Sequence, residues 1–227
     1  MSKIKNLLSA ASGMLSRDPL RRIEGLELIL SYLMHKLPPE TMTRHLHSAP
    51  RLSLAHMPDA RLFPVRQDML VLLPRGGRVA EVGTWRGDFS KRIAAVCSPD
   101  EFHLFDIDFG PLDEAGIAAA FDGSLHKHLG DSADNLRKMA PNYFDWLYID
   151  GLHTYEQVTR DLAAAHVVLK PGGNLMCNDY TNWDCSSAQP YGVAKAVNEL
   201  VLAFNYEVVG LALEPSGFHD LLIRKPA

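Results

Sequence analysis

The sequence predicts an α/β fold in which a mostly parallel sheet is joined by crossover helices and ends in an antiparallel hairpin. From Pro64 onward, short apolar runs rich in valine, leucine and aromatic residues alternate with helical patterns, as such a sheet requires. Only LEPSG, residues 213–217, separates the last two apolar runs. This connection is too short for a crossover helix, so these strands should pair as an antiparallel hairpin.

The predicted elements follow the ends of the apolar runs, where glycine or acidic residues interrupt the pattern. The predicted strands, seven in all, lie at residues 78–82, 102–106, 125–129, 144–149, 173–178, 206–213 and 218–224. The predicted helices between them lie at residues 88–97, 112–121, 132–139, 154–169 and 190–204.

Residues 1–60 are predicted to form a helical cap or dimerisation segment before a second domain at residues 61–227. Leucine and isoleucine recur at helical spacing in residues 4–15 and again in residues 20–37, which is typical of amphipathic helices. Pro50, Pro58 and Pro64 then interrupt a stretch without clear periodicity, which indicates a surface linker or an ordered lid. An amphipathic helix without an obvious partner makes a homodimer an expectation.

Composition argues against several classes of partner. The formal charge is −4 and charged residues make up 22% of the chain, so the basic stripe typical of a nucleic-acid binder is missing. The N-terminus carries lysines but no sustained apolar core, unlike a secretory signal or a membrane span. The cysteines, Cys97, Cys177 and Cys185, lack metal-type spacing and read as free thiols of a reducing compartment. We therefore expect a cytoplasmic protein that binds neither nucleic acid nor membrane.

The first loop of the second domain carries the pattern of a nucleoside-binding site. In VAEVGTWRGDFS, residues 79–90, an apolar strand ends in Gly83 and Gly87 and then opens a helix. Glycine lets a ligand approach the backbone closely. Asp106 follows Gly83 by 23 positions, a spacing at which an acidic residue accepts hydrogen bonds from ribose hydroxyls. The alternative is that both glycines serve turn formation alone.

A second constellation consists of Asp150, His153, Asn178 and Asp179. Asp150 ends the run DWLYID and Asn178 and Asp179 end NLMCND, so adjacent parallel strands would bring them to one rim of the sheet. Oxygen ligands of this kind suit a hard cation such as Mg²⁺. The alternative is that Asp150 caps the helix starting near Thr154, while Asn178 and Asp179 make local turn hydrogen bonds.

The motifs AEVGTWRGDFS, YIDGLHTYEQVTRDL and LKPGGNLMCNDY, taken in this order and spacing, resemble the class I S-adenosylmethionine-dependent methyltransferases. Within that class they are similar to the group of macrocin-type sugar O-methyltransferases. The resemblance runs from about residue 76 to the end of the chain. The first loop departs from many members of the class, because Thr84 and Trp85 stand where those members carry further glycines.

The resemblance implies a Rossmann-like methyltransferase fold that transfers a methyl group from S-adenosylmethionine to a small-molecule acceptor, with a hydroxyl oxygen as the expected target. It implies that His153 is the base, assisted by Asp150, and that Mg²⁺ binds at Asp150, Asn178 and Asp179. The cofactor residues that it implies are Glu81 and Gly83 at the methionine end, Gly87 in the same loop, Asp106 at the ribose, and Gly130, Asp131 and Ser132 at the adenine.

Other side chains near these motifs have two interpretations. Tyr180, Trp183 and Tyr191 would either line the acceptor site or pack, and Trp85 is expected to pack at the pocket rim. Glu156 can pair with Arg160 at four-residue spacing, while Asp161 would face the cleft or solvent. The histidines at positions 35, 45, 47 and 56 are expected at the surface or in the cap, because the two in HLH cannot share a helix face as zinc ligands.

Two further functional classes remain open from the sequence. A nicotinamide-dependent oxidoreductase would use a similar fold, but it should show a third glycine in the first loop and a catalytic Tyr/Lys pair. A non-catalytic nucleoside-binding module is compatible with the first loop alone.

Overall fold

The computed structural model of the protein describes residues 48–184 and 189–227, together with Asp18 and Arg21. Residues from 48 onward belong to one compact unit, His47–Ala227. The predicted helices at residues 4–15 and 20–37, His35, His45, His47 and Cys185 lie outside the described ranges. No helix among the described residues has the length and apolar character to cross a membrane.

Within the described residues, the main sheet contains eight strands in the order β1-β9-β10-β6-β5-β2-β3-β4. Its strands are β1 Arg61–Phe63, β2 Arg78–Val82, β3 Glu101–Asp106, β4 Ser124–Leu129, β5 Phe144–Ile149, β6 Leu169–Cys177, β9 Glu207–Ala212 and β10 Asp220–Arg224. A separate two-stranded ladder pairs β7, Trp183–Asp184, with β8, Gln189–Pro190.

All strand pairings in the main sheet are parallel except those of β10, which runs antiparallel to both β6 and β9. The predicted C-terminal hairpin is therefore confirmed, and so is the mostly parallel α/β fold. The sheet has one strand more than predicted. The extra strand, β1, lies in the segment predicted as a linker and pairs with β9. Three residues are too few to show the alternation of apolar and polar side chains that predicts a strand.

Five of the described helices lie at the predicted positions, with shorter bounds at several ends. The described helices are α1 Arg66–Met69, α2 Asp88–Cys97, α3 Glu114–Ala118, α4 Ser132–Leu136, α5 Tyr155–Val168 and α6 Val193–Phe204, with single 3₁₀ turns at Leu54–His56 and Leu70–Leu72. The short α1 and its 3₁₀ turn were not predicted.

The core has two parts, one on each face of the sheet. Side chains alternate along β5, so Leu147 and Ile149 join the cluster that includes α4, α5 and α6. Trp146 and Tyr148 join the cluster on the other face, with α1, α2 and α3. A parallel sheet covered on both faces leaves its strand ends as the place for a ligand.

Candidate functional site

A cleft of about 780 Å³ opens at the carboxyl ends of β2, β3, β4 and β5. Its volume lies within the range usual for small-molecule sites. All of the predicted cofactor residues except Gly87 line it, namely Glu81, Gly83, Asp106, Gly130, Asp131 and Ser132, and Asp150 lines it as well.

The end of β2 approaches the end of β5 so closely that only glycine fits at position 83. Gly83 has φ of +81°, and a Cβ there would lie 1.9 Å from the carbonyl oxygen of Asp150. Gly87 also has positive φ and is the N-cap of α2. A Cβ at Gly87 would lie 2.7 Å from Cδ1 of Ile117. Gly87 therefore shapes the loop by close packing and does not line the cleft.

Asp106 organises the first loop. One of its carboxylate oxygens accepts hydrogen bonds from the backbone N–H groups of Thr84 at 2.7 Å and Trp85 at 2.9 Å. Each carboxylate oxygen can accept more than one hydrogen bond, so these bonds leave acceptor capacity facing the cleft. Trp85 is 62% exposed at the cleft rim, with the guanidinium of Arg86 4.5 Å from its ring centre. Trp85 thus lies at the rim, as expected, and contacts the guanidinium of Arg86 there.

Glu81 is a buried carboxyl group at the bottom of the cleft. It is 1% exposed and accepts a hydrogen bond from the hydroxyl of Ser90. Burial raises the pKa of Glu81 to about 8, although the bond from Ser90 and the charge of Arg66 oppose this shift. Glu81 is thus largely protonated at neutral pH, and a cationic ligand in the cleft would favour its ionised form.

The loop after β4 is held by an ionic network that differs from the predicted one. Arg160 donates hydrogen bonds to both carboxylate oxygens of Asp131, at 2.8 and 3.1 Å, so the predicted pairing of Arg160 with Glu156 is replaced. Ser132 donates to Asp161 at 2.5 Å. Asp161 is 1% exposed, so it faces neither the cleft nor solvent. This burial raises the pKa of Asp161 to about 6.

The second predicted constellation comes together at the strand ends. His153 lies between two carboxylates, with its Nε2 3.5 Å from Asp150 and its Nδ1 3.7 Å from Asp179. Burial raises the pKa of Asp179, while the neighbouring His153 opposes this shift. The Nε2 atom of His153 is buried and has no hydrogen-bond partner among the described residues. Thr154 is the N-cap of α5, so the alternative that Asp150 serves as this cap is excluded.

Asn178 belongs to a buried hydrogen-bond network that its sequence pattern does not predict. Its amide nitrogen donates to Asp220 at 3.1 Å, and the hydroxyl of Tyr148 donates to the other oxygen of Asp220 at 3.2 Å. Arg66 donates to Tyr148 at 2.8 Å and lies 3.7 Å from Asp150. Burial raises the pKa of Asp220 to about 8. A charged residue at the start of the apolar run DLLIR was the one available signal for Asp220.

The aromatic residues after β6 divide between the two predicted roles. The ring of Tyr191 lies 4.7 Å from that of His153, which places Tyr191 beside the site. Tyr180 packs against the core and donates a hydrogen bond to Asn198 at 2.6 Å, so it is a packing residue. Trp183 is 37% exposed in the small two-stranded ladder.

The remaining predicted groups are structural. Cys97 and Cys177 are buried free thiols, as expected, and burial raises both of their pKa values. His56 hydrogen-bonds with Ser53 within a single turn.

Part of the chain is similar to a known protein family. Residues 80–180, somewhat less than half of the chain, match a family described as a methyltransferase domain. No curated protein is significantly similar to the sequence.

Solved structures show the fold. The 1,6-didemethyltoxoflavin-N1-methyltransferase of Burkholderia thailandensis, solved with S-adenosylhomocysteine, has a TM-score of 0.53 at 16% identity, covering 67% of this chain and 72% of its own. The N-methyltransferase NodS of Bradyrhizobium japonicum has a TM-score of 0.52 at 14% identity, covering 71% and 95%. The cyclase SpnF has a TM-score of 0.54 at 14% identity, covering 71% and 80%.

Because a cyclase is among these structures, the fold does not by itself identify the reaction. The family match at residues 80–180 supplies the more specific evidence. Residues 80–180 are thus similar to a methyltransferase domain, and the sheet order and the solved structures show a Rossmann-like fold.

Proposed function

We propose that this protein transfers a methyl group from S-adenosylmethionine to a hydroxyl oxygen of a small-molecule acceptor, with His153 as the base. The observation that carries the proposal is the position of His153 between Asp150 and Asp179, with a buried Nε2 that lacks a hydrogen-bond partner among the described residues. A base needs an unsatisfied nitrogen at the boundary between cofactor and acceptor.

In this proposal the cofactor occupies the main cleft. Its cationic methionine end lies toward Glu81, whose carboxyl group can ionise beside a positive charge. Its ribose lies at Asp106, and its adenine borders residues 130–132. The absence of a Cβ at Gly83 lets the ligand contact the backbone at the strand end. The lining of the cleft by all of these residues supports the arrangement.

The acceptor is assigned to a neighbouring pocket of about 270 Å³ whose lining includes Asn178, Asp179, Phe218 and Asp220. Arg66 lines this pocket and the main cleft alike. His153 lies between Asp150, which lines the cleft, and Asp179, which lines the pocket. An acceptor hydroxyl at this boundary would face both the base and the methyl group.

Methyl transfer to a hydroxyl oxygen requires a base, because an alcohol attacks a sulfonium poorly until its proton is lost. His153 accepts the hydroxyl proton as the oxygen–methyl bond forms and the sulfur–methyl bond breaks, which leaves S-adenosylhomocysteine. The carboxylates of Asp150 and Asp179 stabilise the imidazolium that results. Orienting the two reactants in one enclosed site supplies much of the remaining rate effect.

The donor atoms at this rim also suit a divalent cation such as Mg²⁺, which would lower the pKa of the acceptor hydroxyl when bound. Asp150 and Asp179 offer carboxylate oxygens, and Asn178 keeps its side-chain oxygen as a ligand atom because only its nitrogen donates to Asp220. Arg66, 3.7 Å from Asp150, competes with a cation for that carboxylate. We therefore propose a Mg²⁺ site that is weaker than one built from carboxylates alone.

The test combines cofactor binding with turnover. Wild-type protein and His153→Gln are titrated with S-adenosylmethionine by calorimetry, and release of S-adenosylhomocysteine is measured with a panel of hydroxylated sugars and catechols, with Mg²⁺ or with chelator. His153→Gln should keep its cofactor affinity within about twofold and lose about 10²- to 10⁴-fold in turnover, the range typical of a general base.

His56→Gln serves as the matched control, because it removes a histidine outside the proposed site. Full turnover by His153→Gln would refute the role of His153. Binding of a nicotinamide dinucleotide in place of S-adenosylmethionine would contradict the proposed function as a whole.

A further inference from the structure

Two neighbouring strands place histidine and glutamate side chains on one face of the sheet, outside the site described above. Glu101 and His103 lie two positions apart on β3, and His126 and His128 lie two positions apart on β4. His103 pairs in register with His126. Because alternate residues of a strand share a face, all four side chains point to the same side.

We propose that Glu101, His103 and His126 bind a divalent transition-metal ion, with zinc as the best match. Imidazole nitrogens and a carboxylate oxygen are the ligands that zinc takes in proteins. One ligand atom from each of these residues lies within 4.8 Å of the others, a convergence found for no other group of histidine, cysteine or acidic residues among the residues described.

The distances fit zinc coordination with small adjustments. Nε2 of His103 lies 3.4 Å from a carboxylate oxygen of Glu101. Two ligands each about 2.0–2.1 Å from a tetrahedral zinc are themselves separated by about 3.3 Å. The ring of His126 stacks on that of His103 at 4.5 Å. His126 is exposed, so its ring can turn to bring a nitrogen to the ion.

The surrounding hydrogen bonds orient these ligands as outer-shell partners do. Nδ1 of His103 lies 3.0 Å from Nε2 of His128. When Nδ1 donates this bond, Nε2 of His103 presents a lone pair to the Glu101 oxygen, and two acceptors then face each other with no proton between them. A cation resolves this conflict. The reverse tautomer, in which His103 donates to Glu101, needs no ion.

Neighbouring charges set the strength of the site. Arg78 donates to one oxygen of Glu101 at 3.1 Å, and Tyr143 donates to the other at 2.5 Å. The oxygen bonded to Tyr143 is the one facing His103, so it remains available as a ligand. The positive charge of Arg78 opposes the ion, which makes the site weaker than a structural zinc site with thiolate ligands.

The location indicates a stabilising role. Glu101 begins β3 and Asp106 ends it, and the five residue-to-residue steps between them span roughly 16 Å at about 3.3 Å each. The ion would therefore lie at the end of β3 away from the cofactor cleft. β4 is the last strand at its edge of the sheet, and a metal bound by both strands would join this edge strand to β3.

The experiment is a titration of metal-free full-length protein with Zn²⁺ in competition with a chromophoric chelator. Wild type should bind one zinc ion, and His126→Ala should weaken this affinity at least about tenfold, as loss of a ligand does. The melting temperature of wild type should rise with zinc, because a ligand of the folded state stabilises it. At the same zinc concentration, the melting temperature of His126→Ala should rise less.

Two variants control for binding elsewhere. His56→Ala removes a histidine outside the cluster, and Asp179→Asn removes a proposed Mg²⁺ ligand, so both should keep the wild-type zinc affinity within about twofold. Because His126 is exposed, His126→Ala should fold, and its unfolding without metal verifies this. Absence of zinc binding by wild type, unchanged affinity in His126→Ala, or loss of zinc in Asp179→Asn would each overturn the proposal.

Discussion

Replacing Glu81 by glutamine should change how the stability of the protein depends on pH. The pKa of Glu81 is about 8 in the folded protein against 4.5 as its ordinary value, mainly because the carboxyl group is buried. Between these values the folded state holds a proton that the unfolded state has lost, so stability falls as pH rises. The slope is about 1.4 kcal/mol per pH unit, which gives roughly 3 kcal/mol between pH 5 and pH 7.

Glutamine has nearly the same shape and can still accept the hydrogen bond from Ser90, but it does not titrate. The free energy of unfolding of wild type minus that of Glu81→Gln should therefore decrease from pH 5 to pH 8 and level off above. Asp220 and Asp161, whose pKa values are also raised by burial, affect both proteins alike and cancel in this difference. Urea unfolding at pH 5, 6, 7, 8 and 9 measures it. A difference that stays constant with pH would refute a protonated Glu81.

Three further predictions concern the cleft. S-adenosylmethionine binding at pH 7 should release a proton from wild type and none from Glu81→Gln, because the cationic ligand ionises Glu81. Calorimetry in buffers of different ionisation enthalpy measures the number of protons released. Equal proton release by the two proteins would contradict this prediction. Gly83→Ala should lower the free energy of unfolding by at least about 3 kcal/mol in a thermal melt, because the new Cβ overlaps the Asp150 carbonyl. The control Gly217→Ala has a similar φ but open space around it, so its free energy of unfolding should fall by only about 1 kcal/mol. Equal losses in the two variants would contradict the steric argument. Asp106→Asn should lower cofactor affinity about tenfold by weakening charge-assisted hydrogen bonds to the first loop, and unchanged calorimetric affinity would contradict this.

Local sequence signals were sufficient for the central strands and for the lining of the cleft. β2 at residues 78–82 and β5 at residues 144–149 have the predicted bounds. Each is followed directly by a residue that breaks the apolar pattern, Gly83 or Asp150, so the strand end and the start of the loop share one signal. The residues predicted near the cofactor, except Gly87, line the cleft for this reason, while their individual roles stay predictions.

The rest depends on contacts between distant parts of the chain. Arg66 and Asp220 are separated by more than half of the sequence, yet both bind Tyr148. No spacing rule within a helix or strand relates such residues. β1 has only three residues and forms because β9 offers an edge for parallel pairing. The predicted Glu156–Arg160 pair is wrong, because Arg160 instead donates hydrogen bonds to the carboxylate of Asp131, which lies just before another helix.

The reversed direction of β10 has a consequence for how acceptor preference can change. Every other described strand of the main sheet ends on the side of the sheet where the cleft opens. β10 runs the opposite way and begins on that side, with Asp220. The turn before β10 therefore lies at the pocket proposed for the acceptor, which Glu214, Ser216 and Phe218 help to line. Insertions or exchanges in this turn can reshape the pocket while the sheet and cofactor loops keep their positions. Among related chains, this turn is where differences in acceptor should be encoded.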